Sequence, residues 1–490
     1  MKDRKNLKLP ASILIVIVVS ALILNSISVL VEDKFSNTIY LDRQNVEEFY
    51  SLKKNTVDVL TLGTSQVLAD FASPELYINY GISSFGLATC NQPLFATYYW
   101  LLEALETQSP KVVLLEMSAL YGSSETQESS FFKAISTMKN TSINKFRAVN
   151  EIAKIFKGTD KLSYYSNLYK FHSRWEEISK ADYNFLRSLE QPTYGGAAVI
   201  NKITNSKLDI NAYYVEMPDN EPDIENDESK VLYIKKIADL CREKGIKLVL
   251  FKTPKETWKN EYYACVSQYA NALGVEYIDL NIKEALDTIG FDFNTDFTDR
   301  NHLNATGAQK LTNYLGKYLS ENYELPDHRG DKKYKSYDKT AQEYAQAFNS
   351  AIIARSKDLA EILSLAKDKN YSILIAKGGN VDSAKIDKQI QDLGGSPGSL
   401  SDGKNVLLSF ENGKLIKKVA SGKSITLSKY YSNRINYQIY HSGKKTVLSI
   451  FGKSCTVNGV EDYVAICIYD NIANYTVYSG AFHADLSKIN

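Results

Sequence analysis

Apolar positions along the chain fall into three regimes. Leu9 to Val31 carries no charged residue, and a run of about 23 such residues is long enough to cross a bilayer as a helix. From about Thr56 to Leu319, short β-branched runs alternate with helical periodicity, which is how a parallel sheet flanked by helices reads. The strands expected there are "VDVLTL" (57–62), "SSFGLA" (83–88), "KVVLLEMS" (111–118), "IKLVLFKT" (246–253) and "VEYIDLN" (275–281). A helix before the fourth strand sets Ile234, Ile237, Leu240 and Cys241 on one face and ends at Gly245. From "YSILIA" (371–376) onward, short strands ("NVLLSF", "KTVLSIFG", "VAICIYD", "YTVYSG") are separated by Gly, Asn and Asp, the pattern of a β-rich domain.

Five strands suffice for a flavodoxin-like open sheet. About 120 residues between the third and fourth strands do not read as sheet. They hold helical patches near 145–157 and 174–190 and the acidic loop "EMPDNEPDIENDESK", and so read as a cap or substrate-binding insertion. The polar stretch "PDHRGDKKYKSYDK" (326–339) reads as a linker, followed by a helix over 340–367. The expected organisation is a cytoplasmic tail (1–8), a transmembrane anchor (9–31), an α/β domain (32–325, insertion about 119–230), the linker, and a helix plus β-rich accessory domain (340–490).

Charge sets the compartment. Lys2, Arg4, Lys5 and Lys8 precede the apolar run, so the positive-inside rule leaves the tail in the cytoplasm and the remainder outside the plasma membrane as a single-pass protein. A cleaved signal would need a shorter apolar region and a small-x-small site, for which only Ser26-Ile27-Ser28 offers itself. The net charge of +1, evenly mixed, excludes the electrostatic footprint of a nucleic-acid binder. Five scattered cysteines form neither a disulfide framework nor a zinc spacing, although Cys455 and Cys467 could face each other across a hairpin. The 34 tyrosines suit sugar contacts, or reflect composition alone.

Ligands of open α/β sheets bind beyond the carboxyl ends of the strands, where "LGTS" places Ser65. Its hydroxyl is a nucleophile only beside a base that a third group orients. "DFTDRNHLNATG" supplies Asp299 and, three residues on, His302, just before a helix at about Asn304. The plain alternatives are an N-cap at Ser65 or Thr64, and a salt bridge or metal pair at Asp299 and His302, for which no third ligand is spaced suitably. In the insertion, "FHSRW" groups His172, Arg174 and Trp175, either an anionic-glycan contact or a structural pin. Lys252 in "FKTPKETW" is either a substrate contact or a solvated lysine. His328 in the linker and the isolated His441 and His483 carry no assigned chemistry.

"LGTS", "YGISSFGLA" and "DRNHLN" resemble blocks I, II and V of the SGNH/GDSL hydrolase superfamily over about residues 50–325. The anchor and external domain resemble its DltD-like, surface-polymer-modifying branch. The resemblance implies Ser65 as nucleophile, His302 as general base and acid, Asp299 as its orienter, and the amides of Ser65 and Gly86 as oxyanion donors. Neither cofactor nor metal is implied. The Gly-x-Asn-Asp of block III is replaced by "LLEMSALY", leaving Asn91 or Gln92 as candidate donors. The C-terminal region resembles the interleukin-like EMT inducer fold, implying carbohydrate or protein binding. The expected function is a membrane-anchored extracytoplasmic serine esterase or O-acyltransferase acting on a surface polysaccharide or teichoic-acid-like polymer, with a multi-spanning acyltransferase as the natural acyl supplier. The alternative is a degenerate scaffold that binds glycan and organises an assembly complex.

Overall fold

The computed structural model describes residues 11–32, 39–122, 127–180, 182–183, 193–219, 228–401, 405–421, 425–431, 435–442, 445–450 and 453–489. The chain divides into one unit of Met1–Ala198 with Ile203–Thr340 and a second of Val199–Lys202 with Ala341–Asn490.

In the first unit, helices α1 (Ala11–Val31) and α2 (Ile39–Ser51) precede the sheet. Strand β1 (Val59–Gly63) leads into α3 (Ser65–Asp70) and α4 (Ser73–Tyr80), and β2 (Ser84–Ala88) into α5 (Leu94–Leu105). After β3 (Val112–Glu116) come α6 (Glu128–Ser136), α7 (Ile143–Ile155), α8 (Asn167–Phe171) and α9 (Glu228–Lys244). Strand β4 (Lys247–Lys252), α10 (Asn260–Leu273), β5 (Glu276–Asp279), α11 (Lys283–Ile289) and α12 (Ala305–Asn322) complete the layer structure. All five strands are parallel in the order β2-β1-β3-β4-β5, the doubly wound order whose crevice opens beside β1 and β3.

Both faces of this sheet are covered, which is why its strands read as continuous apolar runs. Along β3, Val113 and Leu115 pack towards α2, α5, α9 and α10, with Phe49, Phe95, Trp100, Ile234 and Val266. Val112 and Leu114 point the other way, to Val67, Leu76, Leu286, Leu311 and Leu315 of α3, α4, α11 and α12. The expected face of α9 is borne out, with Ile234, Ile237 and Cys241 buried and the chain turning at Gly245 with φ +70°.

Several sequence expectations shift. Helices α6 and α7 of the insertion pack laterally into the core beside α5, and the patch expected at 174–190 begins as a 3-10 turn, His172–Glu177; residues 184–192 lie outside the description. The stretch 326–339 is bound to the α/β unit. His328 Nε2 lies 2.5 Å from Asp58 Oδ2, its ring stacks on Tyr334, and α13 (Lys335–Arg355) starts inside the stretch. The helix expected over 340–367 is two, because Asp358 caps a separate α14 (Leu359–Leu365) through the amides of Ala360 and Glu361.

Helix α1 runs 21 residues without a charged side chain. Among the described residues no helix is long and apolar enough to cross a membrane; residues 1–10 and part of the α1 side chains lie outside the description.

The second unit is built on β6 (Tyr371–Gly378), α15 (Asp387–Asp392), β7 (Asn405–Glu411), β8 (Lys414–Ser421), β9 (Ile425–Tyr431), β10 (Ile435–Ser442), β11 (Lys445–Ile450), β12 (Lys453–Asn458), β13 (Tyr463–Asp470) and β14 (Tyr475–His483). They form antiparallel sheets ordered β14-β13-β6-β7-β8 and β12-β11-β10-β9, sharing a core of Leu374, Leu407, Leu448, Cys455 and Cys467. Cys455 and Cys467 thus sit on different sheets, not across a hairpin, and none of the five cysteines is in a disulfide.

Candidate active site

Local chemistry explains how Ser65 reaches the crevice. Gly63 ends β1 where any side chain would collide, since a Cβ there would stand 2.7 Å from that of Glu116 and 2.8 Å from Val67 Cγ2. Thr64 is the N-cap residue of α3 but makes no side-chain cap bond; its hydroxyl donates to Gln66 Oε1 at 2.6 Å. Ser65 is the first helical residue, and capping does not account for it. Its Oγ lies 2.9 Å from His302 Nε2.

His302 comes from a loop that folds around its own carboxylates. Asp299 Oδ1 accepts the amides of Asn301 at 2.7 Å and His302 at 3.0 Å and lies 3.0 Å from His302 Nδ1. A carboxylate only accepts, so Nδ1 carries the proton and Nε2 offers its lone pair to the Ser65 hydroxyl. Asn304 then caps α12 through the amides of Thr306 and Gly307. The Asp299 side chain is 53% exposed and that of His302 25%, so both are open to solvent and reagents.

The expected oxyanion donors fare differently. Gly86 lies inside β2, and its amide donates to Gly195 O at 2.9 Å; its carbonyl accepts Asn45 Nδ2 at 2.6 Å. Gly86 is therefore engaged by a returning segment of the insertion, whose amides at Gly195 and Gly196 are held by Glu48 at 2.7 and 3.1 Å. Gln92 is buried, donating to Thr97 Oγ1 at 3.0 Å and accepting from Thr89 at 3.1 Å. Asn91 is exposed in a left-handed conformation (φ +55°). Of these three, only Asn91 has an amide side chain without a partner among the described residues.

Where block III would supply an amide, β3 ends in Glu116. This carboxylate is fully buried and paired with Lys252 at 2.9 Å; Ser118 donates to it through its amide at 3.1 Å and its hydroxyl at 2.7 Å. Lys252 also donates to Thr253 O at 2.9 Å. It is neither a substrate contact nor a solvated lysine, because the neighbouring strand delivers its counter-ion.

The "FHSRW" cluster also resolves. Arg174 donates to Val31 O at 3.2 Å and Glu32 O at 2.6 Å, satisfying carbonyls at the end of α1, and pairs with Asp182 at 2.7 Å. It is a structural pin. His172 is exposed, its Nδ1 2.7 Å from Tyr169 O, and Trp175 is 67% exposed.

Three residues near the site escaped sequence reasoning. Asp70, at the end of α3, is fully buried and accepts the amide of Leu303 at 2.8 Å. Glu116 is the second. Lys255, half-buried, is held by its amide to Asn281 Oδ1 at 2.8 Å, and the next amide, Glu256, donates to Arg300 O in the His302 loop at 3.1 Å. Burial pulls the Lys255 pKa down, with nearby Lys252 adding to the effect. "KTPK" offered two lysines, and among the described residues the one without an ion-pair partner is the second. Among the described residues no His, Cys, Asp and Glu cluster forms a metal site.

Fold and site together define a doubly wound α/β protein with a Ser–His–Asp chain at the carboxyl ends of its strands. No protein-family model matches the sequence, and no curated protein matches it. Among solved structures it is similar to a crystal structure from Bacteroides fragilis described as a "putative acylhydrolase", at 10% identity over 59% of this chain and 99% of that one, with a TM-score of 0.28.

Proposed function

We propose that the protein is a membrane-anchored, extracytoplasmic serine esterase or O-acyltransferase of SGNH type. One observation carries the reading: Ser65 Oγ, His302 Nε2 and Asp299 form a continuous hydrogen-bonded chain at 2.9 and 3.0 Å. Ser65 attacks an acyl carbonyl as His302 takes its proton, the acyl-enzyme forms as the alcohol leaves with that proton, and water or a sugar hydroxyl then accepts the acyl group. The Ser65 amide is one oxyanion donor, and Asn91 and Lys255 are the candidates for the second. Substrate is proposed to be a surface polysaccharide or teichoic-acid-like polymer, with α1 as the anchor and a multi-spanning acyltransferase as acyl supplier.

A second reading, a glycan-binding scaffold without turnover, is favoured by the engagement of Gly86, Gln92 and Glu116 in structural bonds. A fluorophosphonate probe separates the two. The active enzyme labels at Ser65, Ser65→Ala abolishes labelling, and His302→Ala slows it by roughly 10²-fold or more. An unlabelled wild type that still binds polymer sinks the enzyme reading.

A further inference from the structure

Asp70 lies outside the Ser–His–Asp chain, yet the fold buries it completely beside that chain. The six-residue helix α3 carries Ser65 at its first position and Asp70 at its last. Asp70 Oδ1 holds the amide of Leu303, next to His302, at 2.8 Å. One rigid element therefore sets both the nucleophile and the loop that carries its base. Oδ2 makes no well-aligned hydrogen bond to a described donor, although the Thr253 hydroxyl is near enough to favour the charged carboxyl. Its charge is felt by the His302 imidazole and the Lys252 ammonium, with the Thr253 hydroxyl nearby, and also by Lys255 and the Tyr213 phenol. Lys252 is neutralised by Glu116 at 2.9 Å, and Arg300 in the His302 loop by Glu256 at 2.9 Å.

The two carboxylates near His302 differ in kind. Asp299 is 53% exposed, so water and salt screen its attraction for an imidazolium. Asp70 acts through protein interior, where the same charge is felt more strongly. We propose that Asp70 is a positioning residue of this site: it locks the His302 loop to α3 and, when ionised, stabilises the imidazolium that forms as Ser65 loses its proton. Burial raises its pKa to about 7, while His302, the Leu303 amide, Thr253 and Lys252 draw it back down.

The proposal rests on Ser65 acting as nucleophile, and the test separates the two. Asp70→Asn keeps an acceptor for Leu303 and removes the charge. For the detergent-solubilised full chain, the fluorophosphonate labelling rate is measured against pH. Wild type gains rate as His302 becomes neutral; in Asp70→Asn the midpoint moves down by about 0.5–1 pH unit, because the imidazolium has lost a stabilising charge. A merely structural role lowers the rate at every pH and leaves the midpoint in place, which overturns the proposal. Wild type that never labels overturns the nucleophile reading and this proposal with it. A check free of variants is the NMR titration of His302 in wild type, expected to show a second inflection near that of Asp70; a single-step curve is the contrary result.

Discussion

At the residue scale, one acid beside the carboxyl end of β2 sits where water cannot reach it. Asp42 of α2 is fully buried, and its Oδ1 accepts the Cys90 amide at 2.9 Å just past β2. Burial lifts its pKa to about 7, against the lowering effects of the Cys90 amide and Lys133. The folded chain therefore keeps a proton that the unfolded chain releases above the ordinary aspartate value of 3.8. Stability from this group is fully present below that value and is lost as pH rises towards 7. Asp42→Asn should consequently gain on wild type, by on the order of a few kcal/mol, as pH goes from about 5 to about 8. Chemical denaturation at both pH values checks this, and a pH-independent difference contradicts it. None of this was legible in "YLDRQN", because burial of Asp42 depends on packing brought by distant segments.

At the element scale, legibility followed covalent proximity and period. The five parallel strands could be read because both faces are covered, and the Asp299–His302 loop because its partners lie three residues apart. What escaped was set by register between strands. Glu116 aligns with Phe251 across β3 and β4, which brings the next residue, Lys252, to its carboxylate. Neither "LLEMS" nor "LFKTP" announces that pairing. Gly86 was misread because the Gly195 carbonyl that occupies its amide comes from a turn more than a hundred residues away. Lys252→Met should destabilise the unit by about 3–5 kcal/mol, since it strands a buried carboxylate. The double variant Glu116→Gln/Lys252→Met should recover much of that loss. Urea midpoints of the three proteins decide the matter, and a double variant no more stable than Lys252→Met speaks against an ion-pair origin.

At the scale of the whole molecule, α1 has two halves. Ile15, Val16, Leu22 and Ile23 are more than half exposed, whereas Val31 is buried and its carbonyl, with that of Glu32, is held by Arg174. A helix left bare at one end and fastened at the other fits an anchor whose exit is gripped by the domain it carries. The full chain should remain in the membrane pellet through alkaline carbonate extraction and partition into the detergent phase; recovery in the aqueous phase in both assays removes the anchor from the proposal. Arg174→Ala should leave partitioning unchanged while increasing proteolytic cleavage just after Val31.

The same corner of the molecule carries a natural optical reporter. Of the three tryptophans, Trp100 and Trp258 are buried and Trp175 is 67% exposed, one residue beyond the arginine that grips α1. Red-shifted emission and collisional quenching by iodide or brominated lipid will therefore be dominated by Trp175. Without any attached dye, its spectrum can tell whether this corner faces water or lipid headgroups in reconstituted vesicles.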